Sequence, residues 1–427
     1  MPQVGRGAFT LRSLASDAGL AIGGALVANV FNYVYHFVLS RRLGPDDYGT
    51  LATLLAAISM VGVIGNSVSM VAMQESAKLW AVGVERRVGA FVRHTGLAAL
   101  GVGAAMGAVL FAGSFLFGRY LHIVSWLVWG VFAASVAIGV YVAFLRGASQ
   151  GARRFGLFGA SFVAETVVKL TVAVALVAIG WQVVGAMGGV LVGALAGMLI
   201  IAVPLSRGDG DPHPDHGHLH LGGRAAAVFS VQAALTALVF LDLFFAKHYL
   251  SGTEAGLYGA AGTMARTIPF GVGLISLVAN PRAAAAYHIS RATLKHLLAV
   301  AFGAGVALAV LAVAVTALFP RFLLGLAFGK QYLAAAPLLQ LYGIDGALLA
   351  LDGLAAGYLL AVGNYSVAPY LLVACIIEAV AMALFGTTAP RLLYIAIAVN
   401  AALLPAIAWY TAKTLAGAPQ AQATAKA

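Results

Sequence analysis

The chain has 427 residues, of which 62% are hydrophobic and 9% charged, with a mean hydropathy of +0.96. A soluble surface carries roughly a quarter charged residues, so this composition excludes a water-soluble fold and leaves an integral membrane protein. The net charge of +11 sits mostly in short loops, where it sets membrane topology rather than marking a nucleic-acid partner. Cys375 stands alone, so no intramolecular disulfide can form.

A spanning helix needs about twenty mostly apolar residues. Breaking the chain at clusters of charge, Pro and Gly predicts twelve such helices: 14–39, 48–73, 89–117, 121–145, 155–180, 182–205, 225–248, 254–279, 296–319, 334–362, 366–388 and 391–415. Arg6 and Arg12 precede the first run, which is longer than a cleavable signal core and is read as a retained span. Its polar residues Asn29, Asn32, His36 and Ser40 are spaced to share one helical face. Such a stripe either lines a wet cavity or glues helices by hydrogen bonds. The turn "LSRRLGPDDYG" follows, with Gly44-Pro45 as the helix break and Asp46 and Asp47 placed to cap the second span. Arg41 and Arg42 extend the stripe toward the outer face.

The fifth span carries Glu165 and Lys169, four apart and in the order that pairs well on a helix. The pair is either structural or a cavity pair whose lysine meets a phosphate. The segment "SRGDGDPHPDHGHLHLGGR", 206–224, reads as a flexible cytoplasmic linker. Its His213, His216, His218 and His220 fit no closed zinc site, and no metal or cofactor is expected. The linker divides the chain into an N-terminal bundle, 1–205, and a C-terminal bundle, 225–415, with a disordered tail at 416–427. "LSGTEAGLYGAAG", after the seventh span, weakly repeats "LSRRLGPDDYGTLA" after the first, aligning Tyr48-Gly49 with Tyr258-Gly259.

In the second half, Asp242 and Arg266 lie on the two arms of a hairpin and can meet. Arg266 offers a planar fork suited to phosphate, or a structural partner for Asp242. Asp345 and Asp352 share a face of the tenth span, and Glu378 lies in the eleventh. Carboxyls at membrane depth can carry protons or bind sodium, so these three are ion-coupling candidates. With the N-terminus inside, sixteen Lys and Arg fall on the cytoplasmic side and seven outside, which supports cytoplasmic N- and C-termini. There is no GxxxxGK[ST], GxSxG or HExxH, so neither an ATPase nor another enzyme is expected.

Four landmarks in order carry a resemblance: "LSRRLGPDDYGTLA", "FLRGASQGARRFGLFGASFVAETVVKL", "FLDLFFAKHYLSGTEAGLYGAAGTMARTIPF" and, after Pro281, "FGKQYLAAAPLLQL". Together they resemble the Wzx-like oligosaccharide flippases of the multidrug/oligosaccharidyl-lipid/polysaccharide (MOP) exporter superfamily. The resemblance implies an all-α membrane fold of twelve helices in two six-helix bundles around a central cavity. It implies alternating access that moves a polyprenyl-pyrophosphate-linked oligosaccharide across the cytoplasmic membrane, with a polysaccharide polymerase or glycosyltransferases as partners. The candidate cations for the pyrophosphate are Arg41, Arg42, Lys169 and Arg266, with His36 when protonated. The many carboxylates keep an ion-coupled antiporter of cationic drugs, from the same superfamily, as the alternative. A third reading is a non-transporting scaffold for a polysaccharide synthase.

Overall fold

The computed structural model describes residues 11–81, 86–206, 223–287 and 289–417. The histidines of the expected linker, and all but the start of the expected tail, lie outside these residues. Among the described residues every regular element is helical, as lipid requires, because a spanning backbone must satisfy its own hydrogen bonds. The elements are α1 (Leu11–Ala81), α2 (Arg86–Tyr120), α3 (Trp126–Gly151), α4 (Phe155–Ala178), α5 (Gln182–Leu205), α6 (Gly223–Tyr249) and α7 (Gly252–Ala265). They continue as α8 (Thr267–Tyr287), α9 (Arg291–Leu318), α10 (Pro320–Ala327), a 3-10 turn at Lys330–Ala335, α11 (Ala336–Ala361), α12 (Ala368–Phe385) and α13 (Ala389–Ala416).

Among the described residues eleven segments are long and apolar enough to cross a membrane. The first, Gly23–Trp80, has 58 residues, roughly twice the length one hydrocarbon core needs. It breaks at Gly44, the one non-helical residue inside α1, with φ 77 and ψ 171. That left-handed φ is strained for any residue with a Cβ, and Pro45 behind it lacks the donor that would carry the helix through. The segment is therefore long enough for two crossings, which makes twelve among the described residues, and the protein is a multi-pass membrane protein. The expected turn at 39–49 contracts to this one residue.

The described residues fall into two compact units. The first takes those within Met1–Leu43 and Val61–His220, the second those within Gly44–Met60 and Leu221–Ala427. In the first unit small residues bring backbones together, the packing that lipid favours where no hydrophobic force separates helix from solvent. Gly185, Gly189, Gly193 and Gly197, four residues apart, line the face of α5 that meets α4. A methyl on Gly189 would sit 2.6 Å from the Lys169 carbonyl oxygen, and one on Gly193 2.6 Å from that of Glu165. Gly147 and Gly151 of α3 likewise back onto Ser69 and Met73 of α1. Near the other end of α1, Gly24 meets Gly159 of α4. The two arms of α1 thus return to the level of the α3–α4 turn. A cluster of Val88, Phe91, Val92, Phe144, Leu145, Ile201 and Leu205 seals that end.

In the second unit α11 is the central helix, packed against α8, α9 and α13. Leu349, Ala355, Ala356, Tyr358 and Leu359 of α11 join Val231 and Leu238 of α6, Leu294 and Leu298 of α9, Leu371 of α12 and Leu403 and Ile407 of α13 in one core. The segment 44–60 docks here through Tyr48, which is fully buried. Its ring stands edge-on to Phe328 and Tyr332 at 5.7 and 5.9 Å, and its hydroxyl donates to Thr263 at 3.2 Å. Gly49 backs onto Gly256, and Asp46 lies 3.8 Å from the buried amine of Lys247. The two copies of the weak sequence repeat therefore touch. The second copy begins α7 with a capping box: Ser251 Oγ accepts from the Glu254 amide at 3.3 Å, and Glu254 Oε2 accepts from the Ser251 amide at 3.2 Å.

Gly193→Ala is expected to destabilise the first unit by about 1–3 kcal/mol through overpacking. Gly101, whose added methyl would meet nothing within 4 Å, supplies the control Gly101→Ala with an unchanged melting temperature. Thermal denaturation of both variants in detergent checks the contrast, and equal melting would remove the close-approach argument.

Candidate functional site

Each unit encloses one polar centre. In the second, Pro269 in "RTIPF" has no amide to continue the helix, so α7 ends at Ala265 and α8 begins at Thr267. The expected single span at 254–279 is thus two helices, with Arg266 at the break. Thr267 Oγ1 donates to the Met264 carbonyl at 2.7 Å and helps close it. From there the guanidinium reaches inward. Its Nη2 donates to Asp242 Oδ1 at 2.8 Å and its Nε to the Val239 carbonyl at 2.8 Å. The Tyr342 hydroxyl donates to the other oxygen of Asp242. The Phe240 and Tyr342 rings lie 5.0 and 5.7 Å from the guanidinium carbon. The ion pair is nearly closed off, with 7% of the Arg266 side chain and 5% of the Asp242 side chain exposed. The sequence leaves two roles open for Arg266, and the structure shows the pairing with Asp242.

Around this pair are three buried acids of the unit. Asn400 of α13 donates from Nδ2 to Asp345 Oδ1 at 2.8 Å. Asp352 and Glu378 are wholly buried, and among the described residues no side chain or backbone group donates to their carboxyl oxygens. The three ion-coupling candidates thus lie inside the unit. Among the described residues no three His, Cys, Asp or Glu side chains group closely enough to hold a metal ion.

The first unit has a centre of the opposite character. Lys169 of α4 donates to Asn32 Oδ1 of α1, and its amine lies 4.5 Å from the centre of the Tyr35 ring. Tyr35 is held in turn by its hydroxyl on the Ala186 carbonyl of α5, at 2.9 Å. The expected pairing of Glu165 with Lys169 is replaced. Arg146, in the last turns of α3, donates from Nη2 to Glu165 Oε2 at 2.5 Å and from Nε and Nη2 to Ser161 Oγ at 3.1 and 3.0 Å. It also lies 3.6 Å over the Phe162 ring. Ser161 passes its own proton to the Gly197 carbonyl at 2.9 Å. A guanidinium anchored by Ser161 and an aromatic bed outcompetes a flexible ammonium one turn away for the Glu165 carboxylate, and Lys169 bonds Asn32 instead.

The polar stripe on α1 is only partly assembled. Asn32 is engaged and half-buried, while Asn29 is exposed. His36 is half-buried, edge-on to Tyr35 at 5.9 Å. Ser40 turns back on its own helix, onto the Phe37 carbonyl at 3.1 Å. Arg41 and Arg42 are exposed just before the Gly44 break. Sequence reasoning missed Tyr35, Arg146, Ser161, Tyr342 and Asn400. The signal was strongest for Asn400, a lone amide in "IAIAVNAALLP".

No family model matches the sequence. Two curated relatives, uncharacterized protein Rv3630 of Mycobacterium tuberculosis (strain ATCC 25618 / H37Rv) and uncharacterized protein Mb3654 of Mycobacterium bovis, are each 27% identical over 179 residues. The match spans 40% of this chain and 40% of each relative. Solved structures match over nearly the full length. An inward-facing multidrug resistance MATE family transporter of the MOP superfamily superposes with a TM-score of 0.72 at 11% identity, covering 92% of this chain and 96% of that one. An outward-facing MATE transporter gives 0.62 at 13% identity and 96% coverage of both chains. A MOP superfamily transporter from Pyrococcus furiosus, described as having reverse polarity in its binding pocket, gives 0.57 at 14% identity and 95% coverage of both.

The fold is that of the solved MATE transporter structures. Within it this chain places a sealed Arg–Asp pair in one unit and an amide-held lysine in the other.

Arg266→Met is expected to destabilise the protein by about 3–5 kcal/mol, because it strands a buried carboxylate. Adding Asp242→Asn should recover most of the loss. Melting temperatures of wild type and both variants in detergent check it; a double variant no more stable than Arg266→Met would mean that neutralising Asp242 is not what Arg266 does.

Proposed function

We propose that the protein is a flippase that moves a polyprenyl-pyrophosphate-linked oligosaccharide across the cytoplasmic membrane by alternating access. A sugar head group and its pyrophosphate cannot cross about 30 Å of hydrocarbon unaided. A fold shared with membrane transporters supports a polar route for the head group, and the lipid tail stays in the bilayer. The observation that carries the choice of an anionic substrate is the sorting of charge. In the second unit Asp242 is neutralised by Arg266, Asp345 is bonded to Asn400, and Asp352 and Glu378 are enclosed, whereas Asp46 and Glu254 are exposed at helix ends. In the first unit Lys169 is half-buried; its described bonds go to the neutral Asn32 amide and the Tyr35 ring face, with the Glu165 carboxylate, itself held by Arg146, one turn away. A cation so held keeps its charge available to a phosphate. Arg41 and Arg42, exposed at the end of the same arm of α1, extend that positive path.

The neighbours' names describe multidrug transport by those proteins, and a cationic drug would need an accessible carboxylate instead. With no nucleotide-binding loop in the sequence, the cycle draws on an ion gradient, on the membrane potential, or on removal of the product by a polymerase. Glycosyltransferases that build the substrate and a polymerase that consumes it are the partners this reading requires.

Expression in strains lacking a polysaccharide flippase tests the proposal, with surface polysaccharide as the readout. Wild type should restore it in at least one glycan pathway. Lys169→Gln at equal protein level should cut it at least tenfold, and Lys169→Arg should retain a measurable part. No rescue in any pathway, together with raised resistance to cationic drugs, would replace the flippase with an antiporter.

A further inference from the structure

At one end of the second unit the last turns of α8, α11 and α13 and the first turn of α12 surround a cavity of about 750 Å3. Tyr287, Asn364, Tyr365, Tyr410, Lys413 and Thr414 line it. Three apolar spans end here, at Tyr287, Ala361 and Ala416, and another begins at Ala368. The cavity therefore lies at the depth of lipid head groups, not of lipid tails, on the face that the Lys/Arg bias assigns to the cytoplasm.

Its walls are fixed. Gly363, at φ 76, turns the chain out of α11, and the Asn364 amide returns to the Leu359 carbonyl at 2.9 Å. Asn364 Nδ2 donates to Thr414 Oγ1 at 2.7 Å, tying the turn to α13, and its Oδ1 accepts from the Ser366 amide at 3.0 Å. The Tyr370 and Tyr410 hydroxyls are 2.6 Å apart. One donates to the other, so one proton of the pair remains to be donated outward. Lys413 extends from the last turns of α13 with its amine 5.3 Å from the Trp409 ring, a tether that leaves the ammonium in the interface.

The charge is one-sided. The stretches that meet at this end, 280–300, 361–370 and 405–417, contain Arg282, Arg291, Lys295 and Lys413 and no Asp or Glu. A rigid interfacial cavity with an ammonium, tyrosine hydroxyls and a positive surround fits a phosphate. Its position at the span ends fits a phosphate that arrives on a lipid. We propose that this cavity binds the phosphate of a membrane lipid head group, with Lys413 supplying the charge and the Tyr370–Tyr410 pair the outward hydroxyl proton. This site is separate from Lys169 and does not depend on what the protein transports.

The test is lipid binding to the purified full chain in detergent, by native mass spectrometry. Phosphatidylglycerol, a polyprenyl phosphate, diacylglycerol and soluble pyrophosphate are the probes, and the melting temperature reports folding of each variant. The expected result is binding of one or both phosphate-bearing lipids and not of diacylglycerol. Binding of both assigns the site to lipid phosphate in general, and of the polyprenyl phosphate alone to a carrier lipid. Lys413→Gln with Tyr410→Phe should weaken that binding at least tenfold at an unchanged melting temperature. Lys413→Arg should stay within threefold of wild type, as should Arg321→Gln, which alters a cation outside this cavity. Binding of diacylglycerol as tight as that of the phosphate lipids would overturn the proposal. So would soluble pyrophosphate binding as tightly as the lipids, or a double variant that binds like wild type.

Discussion

The absence of water in a bilayer core governs this structure more than any single contact. A backbone in lipid must satisfy its own amides and carbonyls, which makes every spanning element a helix. It also removes the hydrophobic force that drives helices together in water, so association rests on close packing and on polar contacts between helices. Both appear here. Glycines at four-residue spacing bring α5 onto α4, and the charged side chains at each polar centre are bonded across helices. Asp242 takes donors from the α7–α8 break and from α11, and Lys169 reaches α1 from α4.

The same constraint explains why charge is rare and where it is spent. A buried ion pair stabilises little against a well-packed apolar alternative, because desolvation offsets the attraction. Its value lies in specificity, since each partner is costly to leave alone. Arg266 meets that demand with three contacts: the Asp242 carboxylate, the Val239 carbonyl and the neighbouring aromatic faces. Arg146 does the same for Glu165. In both cases the guanidinium takes the carboxylate, and the more strongly hydrated ammonium of Lys169 is left with a neutral amide. This division separates an internal pair from a charge that remains available.

The crossings among the described residues were legible because most apolar runs are closed by a cluster in which charge, Gly and Pro fall together, and clustered charge is costly in hydrocarbon. The Asp242–Arg266 pair was legible as well, since two charges on adjoining arms of a hairpin have few other partners in lipid. The break at Arg266 was written in Pro269 but hidden by an apolar run continuous across it. The Glu165–Lys169 pairing failed for a different reason. Spacing along one helix reports only neighbours on that helix, and the stronger partner came from α3, where Arg146 read as a loop cation. Tyr342 was not legible, and the lone amide of Asn400 stood out without revealing its partner, because period and composition do not say which helix faces which.

The repeated turn sharpens this point. Its two copies align in sequence at Tyr48-Gly49 and Tyr258-Gly259, yet the structure gives them different work. Tyr48 is caged by Phe328 and Tyr332 and bonded to Thr263, whereas Tyr258 packs edge-on against Tyr342 at 5.0 Å, beside the Asp242 centre. The first copy starts its helix from a left-handed Gly44 followed by Pro45, the second from the Ser251–Glu254 capping box. What the copies share is small residues where two backbones must approach: Gly49 meets Gly256, and Gly256 meets Pro45. Small residues persist at such a crossing because any side chain would part the helices. The tyrosines beside it tolerate different partners, since a ring can find a new apolar cage. Gly49 aligns with Gly259 in the repeat but packs on Gly256, and Gly259 faces the Ala52 and Leu243 side chains, so the copies share one crossing while their aligned residues serve different contacts.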